Sequence, residues 1–211
     1  MKGEINLKKI FISKKAIHIS LLFGLICSIF VSLGQFNAAC DDLRTNILRL
    51  HIIANSDSAA DQELKLKVRD CILEQSPELF SGAYDIESAI KLAQGSTMEI
   101  TELAKKVVIE NGANYSATAT VGNSYFSTRE YDDFTLPAGN YKSLIITLGE
   151  GKGKNWWCVI FPEVCLPAAS DSRLSDSACE KSSEIAYHKE NYILRFKTVE
   201  IYEDLKNLIK K

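Results

Sequence analysis

The strongest constraint on this chain is an apolar run near its start. Residues 16–33 carry no acidic or basic side chain except His18. As a helix rising ~1.5 Å per residue, eighteen such residues cover most of a ~30 Å hydrocarbon core. Lys14 and Lys15 precede the run and Asp41 and Asp42 follow it. Basic residues stay on the cytoplasmic side, so everything after the run is expected to be exported. The charged flanks argue against a core helix of a soluble domain. Residues 1–15 then form a cytoplasmic tail, 16–34 a transmembrane anchor or signal-peptide core, and 35–46 a spacer. Residues 47–211 form a single extracytoplasmic domain. Anchor and cleaved signal both remain open: Ala39 suits the −1 position of a cleavage site, whereas Asn37 at −3 does not. Ala38-Ala39-Cys40 hints at a lipoprotein site, but Asn37 stands where Leu is usual.

The exported part is long enough for one sizeable core. Residues 35–211 hold 20 basic and 26 acidic side chains. A mildly acidic body argues against nucleic acid, whose binders present basic patches. Outside the reducing cytosol, cysteines can pair. Cys158 and Cys165 flank an apolar segment containing Phe161-Pro162, where the chain could bend, and they are the disulfide candidate; the alternative is two small buried apolar residues. Cys179 lies in a polar stretch. Neither a CxxC motif nor a His–Cys set with metal-ligand spacing is present, so no metal and no cofactor is expected.

Residues 48–58 alternate as a half-buried strand does. Leu48, Leu50, Ile52 and Ala54 share one face, and Arg49, His51 and Asn55 the other. Asn55-Ser56-Asp57-Ser58 supplies oxygens for a turn and a helix cap, and Ser58 with Asp61 has capping-box spacing. A helix follows, with Ala60, Leu64, Val68, Cys71 and Ile72 in one stripe, ending at Pro77. A second helical region starts near Asp85, breaks at Gly95, restarts on a Ser96–Glu99 capping box and stops at Asn111-Gly112.

The pattern then turns to β. Tyr115, Ala117, Ala119 and Val121 alternate with polar residues, and Gly122-Asn123-Ser124 reads as a turn. Residues 125–128 begin another extended piece, and residues 136–139 read as a turn. Residues 144–148, 156–161 and 192–196 read as strands, and residues 168–184 as a mobile surface excursion. Tyr202, Leu205, Leu208 and Ile209 mark a C-terminal helix. The fold class is α+β, with a mostly antiparallel sheet and helices packed on one face.

Candidate chemistry is sparse. His51, Ser56, Asp57 and Ser58 suggest a hydrolytic triad only superficially, because no nucleophile elbow accompanies them. The glycines and lysines of residues 149–154 lead into a strand rather than the helix that a phosphate loop requires. Asp132-Asp133 has no spacing that singles it out as an acid–base pair. Trp156 and Trp157 point to opposite faces of a strand, and one of them is a candidate anchor for a partner. No catalytic residue is expected.

Three blocks carry a resemblance. They are LRLHIIANSDSAADQELKLKVRD (48–70), LPAGNYKSLIITLGEGKGKNWWCVIFPEVCL (136–166), and Asn111-Gly112 with Tyr115 after it. Over most of residues 47–167, and more weakly beyond, the chain resembles the stage II sporulation protein R family. Glu163 and Asn140 depart from its usual residues, and 168–184 lies outside its pattern. The resemblance implies a signal exported from the forespore into the intermembrane space. Its partner would be the membrane-embedded aspartic protease that processes pro-sigma-E in the mother cell, and the chain itself would not be an enzyme. The face bearing Arg49, His51, Asn55 and Asp57 is the first expected partner surface, and the Trp156/Trp157 strand the second. The alternatives are an exported cell-wall hydrolase, which needs a nucleophile or metal, and a structural protein of the intermembrane space.

Overall fold

A computed structural model describes residues 14–131, 134–162, 186 and 192–209. The tail before residue 14, Asp132-Asp133, Cys165, Cys179 and the 168–184 excursion lie outside the described residues. The chain divides into two units, Met1–Ala38 and Ala39–Lys211.

Helix α1 spans Lys14–Thr45 and carries the apolar run, whose side chains are exposed through Val31. It is long and apolar enough to cross a membrane. Its 32 residues amount to roughly 48 Å. The stretch read as a spacer is therefore helical through Thr45. The reason lies in the last turns: Cys40 and Leu43 are fully buried in the second unit, and Arg44 donates from Nε and Nη2 to the Ala138 carbonyl at 2.9 and 2.6 Å. Gly139 follows at φ 150°, and a Cβ there would overlap the Arg44 guanidinium. The Pro-Ala-Gly segment thus receives the end of α1.

In the second unit, β1 (Leu48–Ile53), α2 (Ala59–Leu79), α3 (Ile86–Gly95) and α4 (Thr97–Glu110) come first. They are followed by β2 (Ala117–Phe126), β3 (Arg129–Glu130), β4 (Thr135–Leu136), β5 (Gly139–Leu148), β6 (Asn155–Phe161) and α5 (Ile193–Ile209). Four strands form a sheet in the order β2-β5-β1-β6. β1 runs parallel to β5 and antiparallel to β6, and β2 runs antiparallel to β5. The sheet is mixed, with antiparallel pairs on both sides of a parallel centre.

One face of the sheet is covered by helices. Leu48, Leu50 and Ile52 of β1 meet Leu144, Ile146 and Leu148 of β5, Ala117 and Ala119 of β2, and Cys158 and Ile160 of β6. Against them pack Leu64, Val68 and Ile72 of α2, Ala89 and Ala93 of α3, and Ile100, Ala104 and Val108 of α4. Burying each large aliphatic side chain contributes about 2 kcal/mol, which makes this layer the main source of stability.

Several expectations change. Pro77 sits inside α2 rather than ending it. Proline cannot donate to the Leu73 carbonyl, but the Ser76 hydroxyl does so at 2.8 Å, which lets the helix reach Leu79. The break at Ser96 is present, without a side-chain cap bond. Gly122-Asn123-Ser124 does not turn: β2 pairs with β5 residue for residue from Ala117↔Leu148 to Phe126↔Gly139, and that ladder overrides a local turn signal. Leu136 belongs to β4 rather than to a turn. Residues 193–196 are the start of α5, not a strand. Phe196, Val199 and Glu203 recur at helical spacing and are buried. The five-residue apolar pattern was too short to distinguish the two periods.

Candidate functional site: the second face of the sheet

The polar residues of the first block separate into two groups. Asn55 and Asp57 lie beyond the end of β1, where they interlock with the 149–154 loop. The Glu150 amide donates to Asn55 Oδ1 at 3.0 Å and the Lys154 amide to Asp57 Oδ1 at 2.7 Å. The Lys152 and Gly153 amides donate to the Asn55 and Ala54 carbonyls at 3.2 and 2.9 Å. Lys65 Nζ donates to the Lys154 carbonyl at 3.1 Å. The loop amides are therefore spent on the protein itself and form no phosphate cradle.

Asp61 closes this joint. Its carboxylate accepts from Ser56 Oγ (2.5 Å), Asn55 Nδ2 (2.9 Å) and Tyr115 OH (2.8 Å). Its own amide donates to Ser58 Oγ at 3.2 Å, the one half of the expected capping box that forms. The Ser56 hydrogen bond, helped by those from Asn55, Tyr115 and Ser58, holds the Asp61 carboxyl below its ordinary range against the opposing effect of desolvation. A lowered folded-state value contributes stability that is present above the unfolded value, near ~4, and is lost as pH falls through the folded one. The group is partly exposed, so solvent screening keeps the contribution to about 1 kcal/mol. Asp61→Asn is expected to lower urea-unfolding stability by about that amount at pH 7 and by nothing measurable near pH ~2. An equal loss at both pH values would show that the ionised form has no special role.

The interlock also excludes the triad. Ser56 and Asp57 are turned into the joint, whereas His51 lies on β1 against Ser124, its Nδ1 3.4 Å from Ser124 Oγ. Among the described residues, no group of three or more His, Cys, Asp or Glu is placed to hold a metal.

The second group occupies the sheet face opposite α2, α3 and α4. A smaller core forms there from Leu43, Ile47, Phe126, Phe134, Leu136, Tyr141 and Val159. Arg49 lies within it at 0% exposure. Its guanidinium carbon is 3.9 Å from the Phe126 ring centroid and 5.0 Å from that of Tyr141, and Nη2 donates to Tyr131 OH at 2.7 Å. Burial, first of all, lowers the Arg49 pKa, although guanidinium stays cationic. His51 is half-buried two residues on and is the register partner of Trp157, with ring centroids 6.1 Å apart. Its Phe126 contact is edge-on at 6.0 Å. Burial, first of all, lowers the His51 pKa; a side-chain hydrogen bond with Asn155 opposes the shift and the Arg49 charge adds to it. Arg129 of β3 lies 4.0 Å over the Trp157 ring.

The structure thus brings Arg49, His51 and Trp157 together and sends Asn55, Asp57 and Trp156 elsewhere. Trp156 is on the helix side, with the Arg69 guanidinium 4.4 Å from its ring centroid. Arg49 is a buried side chain, not part of a surface patch. Cys158 is disulfide-bonded; Cys165, the partner expected from the sequence, lies outside the described residues. Sequence reasoning missed Arg129, Tyr131 and Phe126. Their only connection to β1 is through strand pairings far apart in the chain, and no local motif marks them.

No solved structure matches the chain. Stage II sporulation protein R of Bacillus subtilis (strain 168) is 39% identical over 118 residues, covering 56% of this chain and 53% of that protein. The chain therefore aligns with about half the length of this curated relative. The family profile of stage II sporulation protein R matches residues 44–171, which contain the six described strands, α2 to α4, the interlock and the arginine–aromatic cluster. With well over half its length matched, this chain belongs to the stage II sporulation protein R family.

Proposed function

We propose that this protein is an intercompartmental sporulation signal. It is exported from the forespore to the intermembrane space, where it activates the membrane-embedded aspartic protease that processes pro-sigma-E in the mother cell. The observation that carries this reading is family membership over residues 44–171, joined to an N-terminal helix of membrane-spanning length behind Lys14 and Lys15. The action is binding rather than chemistry: the domain favours the active state of the protease by binding it more tightly than the resting state. The sheet face opposite α2, α3 and α4, with its half-buried His51, Arg129 and Trp157, is the surface proposed for that contact.

Reconstitution in a non-sporulating bacterium tests this. The protease and pro-sigma-E are expressed with the full chain, either routed outside the membrane or retained inside, and sigma is sized by immunoblot. Processing is expected only with the exported form. Processing that ignores the chain, or occurs equally with the retained form, would refute the reading.

A further inference from the structure

Among the described residues, this second face of the sheet holds cations without anions. Arg49 makes one hydrogen bond, to Tyr131 OH, while its Nε and Nη1 are buried and meet no acceptor. Arg129 Nε and Trp157 Nε1 are buried and unpartnered too. These groups are contiguous: Arg49 stacks on Phe126, Phe126 lies 5.9 Å from Trp157, and Trp157 carries Arg129 on one side and His51 on another. Among the described residues, every ion pair uses some other cation, so no carboxylate neutralises Arg49 or Arg129. Burying a cation is costly unless an anion meets it, and stacking on aromatic rings returns only part of that cost. Aromatic contacts alone would be satisfied by an apolar side chain of similar size.

Building on the proposed role as a partner-binding signal, we infer that this face is an anion-recognition site whose ligand is a carboxylate of the protein partner, an acidic side chain or a chain terminus. The carboxylate displaces the Tyr131 hydroxyl from Arg49 and is shared with Arg129, while Trp157 supplies a further N–H group. Two planar guanidinium forks within an aromatic wall match the flat, bidentate geometry of a carboxylate. A phosphate-rich ligand fits poorly, because no lysine joins the cluster and the exported part of the chain is net acidic.

The test uses the full chain in detergent micelles with Trp156→Phe, which leaves Trp157 as the single indole. Sodium benzoate is titrated against sodium chloride at equal ionic strength, with neutral benzamide as the uncharged control. Benzoate, and not benzamide, is expected to give a saturable change in indole emission. Arg49→Lys and Arg129→Gln are expected to weaken it at least tenfold. Tyr131→Phe is expected to tighten it, because Arg49 then surrenders no internal acceptor; a merely structural Tyr131 predicts no gain. In the processing assay, the two arginine variants are expected to reduce sigma maturation at least tenfold at equal exported protein. No saturable response, an equal benzamide response, or an unchanged response in Arg49→Met overturns the inference. So does a response that appears only when Asp132 and Asp133 are both replaced by Asn, since an internal carboxylate would then fill the site. Normal processing by the arginine variants also overturns it, and leaves the signalling role standing. Failure of the wild-type chain to promote processing removes the role itself, while the benzoate titration still decides the site.

Discussion

Replacing Gly153 with alanine is expected to destabilise the full chain by about 3 kcal/mol, with urea unfolding followed by tryptophan emission. A Cβ at Gly153 would overlap the carbonyl of Ser56 and crowd Ala54 Cβ. The obstacle is backbone, so no rotamer relieves it. The 149–154 loop must move away, and the amides of Lys152, Gly153 and Lys154 then part from Asn55, Ala54 and Asp57. Overpacking costs about 1–3 kcal/mol and each lost hydrogen bond about 1 kcal/mol. Two controls separate this from a generic glycine effect. Gly82 has φ 88° with open space around it, so Gly82→Ala carries only the left-handed backbone cost of about 1 kcal/mol. Gly95 ends α3 with nothing within 4 Å and no positive φ, so Gly95→Ala is expected to be neutral or slightly stabilising. If Gly153→Ala behaves like Gly95→Ala, the two loops do not close on each other as described.

That joint shows how far the residues alone lead. The alternation of Leu48, Leu50 and Ile52 and the cap at Ser58 are local signals, and β1, the turn and α2 follow from them. Local signals also place Asp85 as the N-cap of α3, through hydrogen bonds with Ser88. The partner of a loop is not local. Residues 149–154 carry no local sign of a partner, yet their amides donate to Asn55 and Asp57, nearly a hundred positions earlier. The same limit governs the candidate site. Arg49, His51 and Asn55 share a face by period, yet Asn55 lies past the end of β1 and turns toward α2 instead. His51 meets Trp157 only through the antiparallel register of β1 with β6. Phe126 reaches Arg49 only because β2 continues straight through a glycine-containing segment that resembles a turn. Arg49 itself defeats the usual expectation that a charged side chain on an alternating strand faces water, because a second core covers that face.

The central strand provides the other large effect. Leu50→Ala is expected to lower unfolding stability by about 3–4 kcal/mol. Leu50 is fully buried at the middle of β1, opposite Leu144 on the parallel side and Cys158 on the antiparallel side. Truncation removes a buried side chain and leaves a cavity. The strand is paired along both edges, so the backbone cannot collapse inward to fill it. One position earlier the sign should differ. Arg49→Met removes a buried charge that no anion among the described residues meets and keeps a side chain of comparable length, so its stability is expected to be unchanged or higher. Two neighbouring substitutions on one strand then separate the roles of its faces. The helix side holds the domain together, and the other side keeps a charge that folding does not require. The contrast is read from urea midpoints of the two variants and their parent at pH 7. A loss in Arg49→Met as large as that in Leu50→Ala would make the arginine a structural pillar. An unchanged midpoint with sigma processing lost would tie the charge to signalling.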